Sequence, residues 1–216
     1  AHELVLKTPP DGYTMLLGST ALPSNKSLHR KLSYDAGADF VGVSFIADWG
    51  AILVIHPSIP AKTTQELIKL AKSRDGQMTF STPGNGTWPH LATEMLLHRA
   101  GAKMRHIPYK GVTDAMSAVV GGTVNFTCAA GSNAIPMVQQ KQLKALFTTG
   151  AKRHRSLPNV PTMRELEKEG LVFGGWSALV APRGTPQAVL EKLNTSVTAM
   201  MRSPDYERFT DRIGST

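Results

Sequence analysis

The sequence contains a single cysteine, Cys128, in a chain of 216 residues. One cysteine excludes an internal disulfide and a zinc site built from several cysteines. Cys128 lies in the apolar run VNFTCAA, which favours a buried structural thiol over a reactive one. A nucleophilic cysteine needs a neighbouring base, and the sequence places none beside it.

Long apolar runs are also absent, since no stretch approaches the roughly 18 residues that span a bilayer. No signal peptide is recognisable, and the first residue is alanine, so any leader is expected to be missing from this sequence. The chain has 41% hydrophobic and 19% charged residues, which excludes a disordered or fibrous class. Its length can bury a substantial core, in one large domain or in two smaller lobes.

Catalytic and metal-binding motifs are missing as well. The sequence has no G-x-S-x-G nucleophile elbow, no phosphate loop of the G-x-x-x-x-G-K-[ST] type and no G-x-G-x-x-G. Its seven histidines show no H-E-x-x-H or other metal-ligand spacing. We therefore predict no catalytic residues, no metal and no cofactor.

Negative charge is scarce relative to positive charge. The chain has 24 Lys and Arg against 16 Asp and Glu, a net charge of +8, which favours anionic partners. The charge is equally consistent with a basic surface that has no specific partner. The basic residues are scattered, and the densest cluster, KRHR at 152–155, is too short for a nucleic-acid arm. We predict that the protein binds no nucleic acid.

Short strand patterns alternate with helical patterns along the chain. The predicted strands include YTMLLGS, QMTFS and two separate runs, FVGVSFIA and AILVIH. The helix of TTQELIKLAKS is predicted to begin with a capping box formed by Thr63 and Glu66. This alternation predicts an α/β fold with largely parallel sheets. In such sheets ligands bind where loops leave the carboxyl ends of strands, often facing helix N-termini.

The stretch STPGNGTWPH, residues 81–90, lies at such a strand-to-helix junction. Gly84 and Gly86 allow backbone angles that other residues avoid, and the first N–H groups of the following helix have no partner within it. Hydroxyls could be added by Ser81, Thr82 and Thr87. Together these groups would hold a carboxylate or phosphate. The alternative is a glycine-rich turn with Pro89 near the helix start, and for His90 a surface or capping role is favoured over catalysis.

An ordered set of blocks resembles one protein family. The blocks include PPDGYTMLLGST, VIHPSIPAKTTQELIKLAK, STPGNGTWPHLATEMLLHRAG, HIPYKGVTDAMSAVVGG and GWSALVAPRGTPQAVLEKLN. From about Leu4 to Arg212 the chain resembles the Bug receptors, also called TctC-like proteins. These are periplasmic solute-binding components of tripartite tricarboxylate transporters.

The resemblance implies a periplasmic-binding-protein fold of type II, with two lobes joined by two crossing strands. The crossings would be the strand ending LVIHP and the strand WSALVAP, with lobe 1 at residues 1–51 plus 178–216 and lobe 2 at residues 52–177. It also implies a monomeric, non-enzymatic protein of the periplasm. Such a protein captures a small carboxylate (a di- or tricarboxylate or an aromatic acid) between closing lobes. It then passes the ligand to the membrane permease subunits of the transporter.

The same resemblance implies which residues contact the ligand. In lobe 2 these are Ser81, Gly84, Asn85, Gly86, Thr87 and His90, and at the edge of lobe 1 they are Gly18, Ser19 and Thr20. Family members carry a further strand, ligand loop and helix before the DGYT block, so lobe 1 is expected to be truncated and incomplete. Many relatives have Asp-Asn where this chain has Ala129 and Ala130, which predicts a ligand with carboxylates but no amine. Asn133 is the expected replacement contact.

Two other function classes remain open. The same lobes serve as ligand-sensing effector modules of regulators or signalling systems, and a transcription regulator would carry a helix-turn-helix, which is not visible in this sequence. An enzyme on this fold would need a placed nucleophile or general base, and the sequence identifies neither.

Overall fold

Helices and strands alternate along the chain, which confirms the predicted α/β class. The structure is a computed structural model that describes residues 2–166 and 174–213. The first elements are α1 (His2–Leu6), β1 (Leu16–Ser19), α2 (Ala21–Leu28), α3 (Ala36–Asp39) and β2 (Phe40–Ile55). The middle of the chain forms α4 (Thr64–Ser73), β3 (Thr79–Thr82), α5 (Trp88–Ala100), β4 (Arg105–Pro108), α6 (Val112–Val120), β5 (Phe126–Ala130), α7 (Gly131–Gln139), β6 (Lys144–Thr148) and α8 (Met163–Leu166). The last elements are β7 (Gly174–Pro182), α9 (Gln187–Met201) and α10 (Pro204–Ile213).

The chain divides into two compact units. The first contains the described residues up to Asp48 and Gly175–Asp211, and the second contains those of Trp49–Gly174 together with Arg212 and Ile213. The chain crosses between the units within β2 and at the start of β7, so these are the two crossing strands. The lobe boundaries predicted after residues 51 and 177 each lie three residues after the observed boundaries, which follow Asp48 and Gly174. Residues 1, 167–173 and 214–216, which the predicted lobes include, lie outside the described residues.

The first unit is built on antiparallel strands. β1 pairs with β7, with Leu16 opposite Val180 and Ser19 opposite Ser177, and β7 lies next to β2. Residues along β1 alternate between buried and exposed, so one face of this strand packs inward. The buried cluster of this unit draws on α1, α2, the segment between α2 and α3, and all three strands: Val5, Leu16, Leu22, Tyr34, Phe40 and Val180.

The second unit contains a mixed sheet in the order β6-β2-β5-β3-β4. β3 runs parallel to β4 and β5, whereas β2 runs antiparallel to β5 and β6. The prediction of largely parallel sheets is therefore wrong for the pair β1 and β7 of the first unit and for β2. β2 enters this unit from the first unit, and this crossing fixes its direction. Neighbouring parallel strands are by contrast joined through a helix, which gives them the same direction.

The prediction of two separate strands in this region is also wrong, because β2 is one strand of 16 residues. The residues between the two runs include Asp48 and Gly50, both of types that are depleted in strands. Gly50 instead allows a close approach of two chain segments. A Cβ atom at this position would lie 2.4 Å from the backbone nitrogen of Gly150, so a larger residue would force the backbone apart.

Helices cover both faces of the mixed sheet. On one face, Leu67 of α4 and Leu96 of α5 pack with Phe80 of β3. On the other face, Val119 of α6 and Ile135 of α7 belong to a second cluster. Phe80 is fully buried, and burial of such a side chain contributes roughly 2–3 kcal/mol. This packing places α5 and the pair α6 and α7 on opposite sides of the sheet.

The predicted capping box at the start of α4 is confirmed. The Thr63 hydroxyl oxygen accepts a hydrogen bond from the Glu66 backbone N–H at 3.1 Å, and a Glu66 carboxylate oxygen accepts from the Lys62 N–H at 2.6 Å. The carboxylate thus binds the N–H one residue before the usual partner in this motif.

Candidate functional site

The glycine-rich stretch begins at the carboxyl end of β3, where neighbouring strands lead to opposite faces of the sheet. β3 lies beside β5, yet β3 continues into α5 on one face and β5 into α7 on the other. The two connections therefore diverge at this edge. In open α/β sheets this switch of direction is where ligands bind.

The loop after β3 has a defined hydrogen-bonded geometry. Gly84 has a φ of 141° and Gly86 a φ of 73°, and both values lie in the region that favours glycine. The Thr87 hydroxyl donates to the Gly84 carbonyl at 2.7 Å, and the Gly84 N–H donates to the Thr82 hydroxyl oxygen at 3.2 Å. Asn85, at the tip of the loop, is exposed. The loop therefore holds its shape through its own side chains and presents Asn85 outward.

Ser81 is placed differently from the other predicted site residues of this loop. Its side chain is fully buried, and its hydroxyl donates to the Ala115 carbonyl of α6 at 2.8 Å. The Ser81 carbonyl in turn accepts from the Thr127 hydroxyl at 2.8 Å. These bonds join β3 to α6 and β5, so the hydroxyl is already occupied within the fold.

Three helix N-termini follow the parallel strands at this edge of the sheet, those of α5, α6 and α7. Their N-cap residues are Thr87, Gly111 and Ala130, and none of the three makes a side-chain cap hydrogen bond. Glycine and alanine have no side-chain oxygen to offer, and the Thr87 hydroxyl binds Gly84 instead. Because the first N–H groups of a helix have no partner within it, the lack of side-chain caps leaves these donors available for an anion. In the same unit, α4 is capped by Thr63.

The first helical turns at this edge of the sheet contain few acidic residues. The first turns of α5 and α7 contain no acidic residue, and that of α6 contains Asp114, which is exposed. Ala130 stands at the N-cap of α7, followed by the exposed polar side chains of Ser132 and Asn133. The amide of Asn133 lies 3.5 Å from the Ser132 hydroxyl. The predicted contact Asn133 is thus at the same edge of the sheet as the glycine-rich loop.

A column of stacked rings runs from the core to this loop. The ring centroids of Phe126 and Phe80 are 5.6 Å apart, those of Phe80 and His106 are 4.9 Å apart, and those of His106 and His90 are 4.1 Å apart. Strand register produces the alignment, since Phe80 lies opposite Phe126 of β5 and opposite His106 of β4. His90, in the first turn of α5, adds the last ring.

Both histidines of the column bind the loop. The Gly86 N–H donates to Nδ1 of His90 at 3.1 Å, so Nδ1 carries no proton. The proton of the neutral ring is then on Nε2, which lies 3.8 Å from a Glu94 carboxylate oxygen. Nε2 of His106 lies 2.6 Å from the Thr82 hydroxyl oxygen. Desolvation, and secondly the nearby His90, lower the pKa of His106 to about 4, so this ring is uncharged at neutral pH.

Sequence reasoning did not select His106 or Phe80 as parts of this arrangement, and it named Thr82 only as one of the loop hydroxyls. His90, His98 and His106 follow one another at intervals of eight residues, but this spacing does not fit one helix face. The pairing of β3 with β4 places His106 opposite Phe80. The ring column can be recognised only once this register is known.

The remaining predicted contacts lie in the first unit. Ser19 ends β1 and is exposed. Thr20 is the N-cap of α2 and makes no side-chain cap hydrogen bond. Gly18 is buried, and a Cβ atom there would lie 3.2 Å from the Leu22 side chain. These three residues belong to the first unit, whereas the glycine-rich loop belongs to the second.

Other candidate chemistry is limited. Burial raises the pKa of Cys128 to about 11, so the thiol stays protonated, as a structural cysteine does. In the part of the chain that the structure describes, no group of His, Cys, Asp and Glu side chains is arranged to hold a metal ion. Within residues 2–166 and 174–213, none of the helices has the length and apolar character needed to cross a membrane.

Comparison with known proteins decides the family. A family model described as "Tripartite tricarboxylate transporter family receptor" matches residues 1–215. The chain belongs to this receptor family. BugT of Bordetella pertussis is 32% identical over 203 residues, which cover 93% of this chain and 62% of BugT. A protein from the tcbD–tcbE intergenic region of Pseudomonas sp. (strain P51) is 32% identical over 213 residues, covering 98% of this chain and 63% of that protein. The chain thus spans under two thirds of the length of both relatives.

Solved structures of the family share the fold. A protein of R. palustris solved with adipate has a TM-score of 0.89 and 29% identity, and the match covers 99% of this chain and 72% of that protein. The periplasmic binding protein BugD has a TM-score of 0.88 and 28% identity, with the same coverage. MatC of Rhodopseudomonas palustris, with bound malate, has a TM-score of 0.88 and 26% identity, covering 99% and 73%. The fold is therefore that of periplasmic solute-binding proteins, as the sequence blocks predicted, and the family is one of transporter receptors rather than an enzyme class.

Proposed function

We propose that this chain is the ligand-binding part of an extracytoplasmic receptor that captures a small organic carboxylate for a tripartite tricarboxylate-type transporter. The observation that carries the proposal is the set of three helix N-termini without side-chain caps at one edge of the second unit, around the loop at Gly84–Thr87. Uncapped N–H groups and the positive ends of helix dipoles stabilise a carboxylate. Two structural relatives were solved with the dicarboxylates adipate and malate.

The proposed contacts in this unit are the backbone and side chains of Gly84–Thr87 together with Asn133. Ser19 and Thr20 remain predicted contacts from the first unit. Ser81 is left out of the direct contacts because its hydroxyl is buried and bound to Ala115. The receptor is proposed to act in the periplasm as a monomer and to return its ligand unchanged to the permease.

The ligand is proposed to carry carboxylates and no amine. Ala130 offers no carboxylate at the N-cap of α7, so an ammonium group would meet the N–H groups and the positive end of the helix dipole without a partner. Succinate and L-aspartate test this directly, because they differ only by the amine. Isothermal titration calorimetry should show succinate, malate or adipate binding at least about tenfold more tightly than aspartate.

A charge-insertion variant tests the location of the site. Ala130→Asp adds a carboxylate at the proposed anion site and should weaken dicarboxylate binding about tenfold or more. Gln65→Asp is the matched control, since it adds the same charge in the first turn of α4, which is capped by Thr63. Binding should be unchanged in that variant. Equal weakening by both changes would place the anion elsewhere.

Two results would contradict the receptor proposal as a whole. One is the absence of heat and of any thermal shift with a broad panel of carboxylates at millimolar concentration, since binding must raise the melting temperature by mass action. The other is chemical conversion of a bound acid, followed by NMR of the ligand over hours. A receptor leaves the ligand spectrum unchanged.

A further inference from the structure

We propose that His90 and His106 are positioning residues that hold the glycine-rich loop in its binding conformation without touching the ligand. This inference rests on the proposed carboxylate-binding function of the loop. It assigns a role to two side chains that share no sequence motif and come from different elements, α5 and β4.

The first support is the hydrogen bond from the Gly86 N–H to Nδ1 of His90, at 3.1 Å. This N–H belongs to the loop itself, and Gly86 has a left-handed φ of 73°, a conformation that the loop must maintain. The His90 side chain is 20% exposed, so its ring is largely enclosed. An anion at the helix N-termini therefore meets the N–H groups of a loop that His90 has already fixed.

The second support is the way the imidazole of His90 is itself fixed. It stacks on His106 with a centroid distance of 4.1 Å and an interplanar angle of 23°. His106 stacks on the fully buried Phe80 at 4.9 Å. The Thr82 hydroxyl, 2.6 Å from Nε2 of His106, ties the same ring to the end of β3. The core thus sets the position of both imidazoles, and they in turn set the loop.

The lowered pKa of His106 agrees with this arrangement, because an uncharged ring stacks on Phe80 without the cost of burying a charge. His90 and His106 face each other, and a Glu94 carboxylate oxygen lies 3.8 Å from Nε2 of His90.

Two substitutions of His90 separate its hydrogen bond from its ring. His90→Phe keeps the stacked ring but has no acceptor for the Gly86 N–H. His90→Asn loses the ring but offers an oxygen close to the position of Nδ1. His98→Phe, at an exposed position on the same helix, is the control for a histidine-to-phenylalanine change on α5.

The readouts are the dissociation constant for succinate or adipate and the hydrogen-exchange rate of the Gly86 amide, measured by NMR without ligand. His90→Phe should weaken binding about three- to tenfold, the equivalent of one hydrogen bond, and should speed exchange of the Gly86 amide by a similar factor. His90→Asn should restore most of both values. The control should match the wild type in both.

The inference is overturned if His90→Phe leaves Gly86 exchange unchanged, or if exchange rises with no change in affinity. It is also overturned if His90→Asn binds as weakly as His90→Phe while the Gly86 amide stays protected, because the imidazole would then contact the ligand itself. If the wild type binds no carboxylate at all, the receptor proposal fails. The amide measurement still decides whether His90 holds the loop.

Discussion

The pH dependence of stability offers a direct test of the environment of His106. The imidazole lies between Phe80 and His90, and its pKa is lowered from the ordinary 6.5 to about 4, chiefly by desolvation and secondly by the charge of His90. The unfolded chain therefore takes up a proton on this ring at a pH where the folded chain does not. The free energy of unfolding must fall as the pH drops from about 6.5 to about 4, and this ring makes no such contribution above that window.

The magnitude follows from the size of the pKa shift. Without solvent screening, a pKa difference of this size would change the free energy of unfolding by about 3 kcal/mol. His106 is only partly buried, so solvent screening reduces the expected loss to roughly 1 kcal/mol. His106→Gln removes the titration, while its amide can still donate to the Thr82 hydroxyl oxygen. The wild type should therefore lose roughly 1 kcal/mol more than this variant between pH 7.5 and 4.5.

Two measurements check this prediction. Urea unfolding at the two pH values gives the difference in free energy between the wild type and His106→Gln. NMR titration of the His106 ring proton gives the pKa itself, with a midpoint expected well below 6.5. His90→Asn should raise that midpoint because it removes the repulsion between the two rings. A midpoint near 6.5, or equal losses of stability in the two proteins, would refute the reasoning.

Two further predictions concern glycines at defined positions. Gly86→Ala and Gly76→Ala place a side chain at φ values of 73° and 78°, so each should cost about 1 kcal/mol in urea unfolding. Only Gly86→Ala should weaken carboxylate binding, and equal effects on binding would contradict the loop assignment. Gly174→Ala would place Cβ 1.9 Å from the Trp49 carbonyl oxygen and should cost about 2 kcal/mol or more, since the backbone has to shift. Gly42→Ala in β2, where nothing lies within 4 Å of the added Cβ, should change the melting temperature little, and a similar loss in both variants would show that the crowding at Gly174 is unimportant.

The sequence alone predicted the α/β class, the family and the position of the glycine-rich loop at a strand-to-helix junction. These features depend on local patterns and on blocks of adjacent residues. The capping box of Thr63 and Glu66 is the clearest case, since donor and acceptor are three residues apart and meet whenever a helix begins there.

Sequence patterns were misleading where direction and continuity depend on distant parts of the chain. The run from Phe40 to Ile55 was predicted as two strands, and the sheets were predicted to be largely parallel. The structure has one continuous strand that is antiparallel to both of its neighbours in the second unit. Neither property is encoded within the strand itself.

At the candidate site, the sequence identified residue types but not their roles. Ser81 and His90 are both predicted ligand contacts, and the structure gives the partners that the sequence could not: the Ser81 hydroxyl binds Ala115, and Nδ1 of His90 binds the Gly86 N–H. The pairing of β3 with β4 placed His106 against Phe80 and so built the ring column. Only the tertiary structure could decide this, because strand register sets which side chains meet across a sheet, and a shift of one residue would turn each of them to the opposite face.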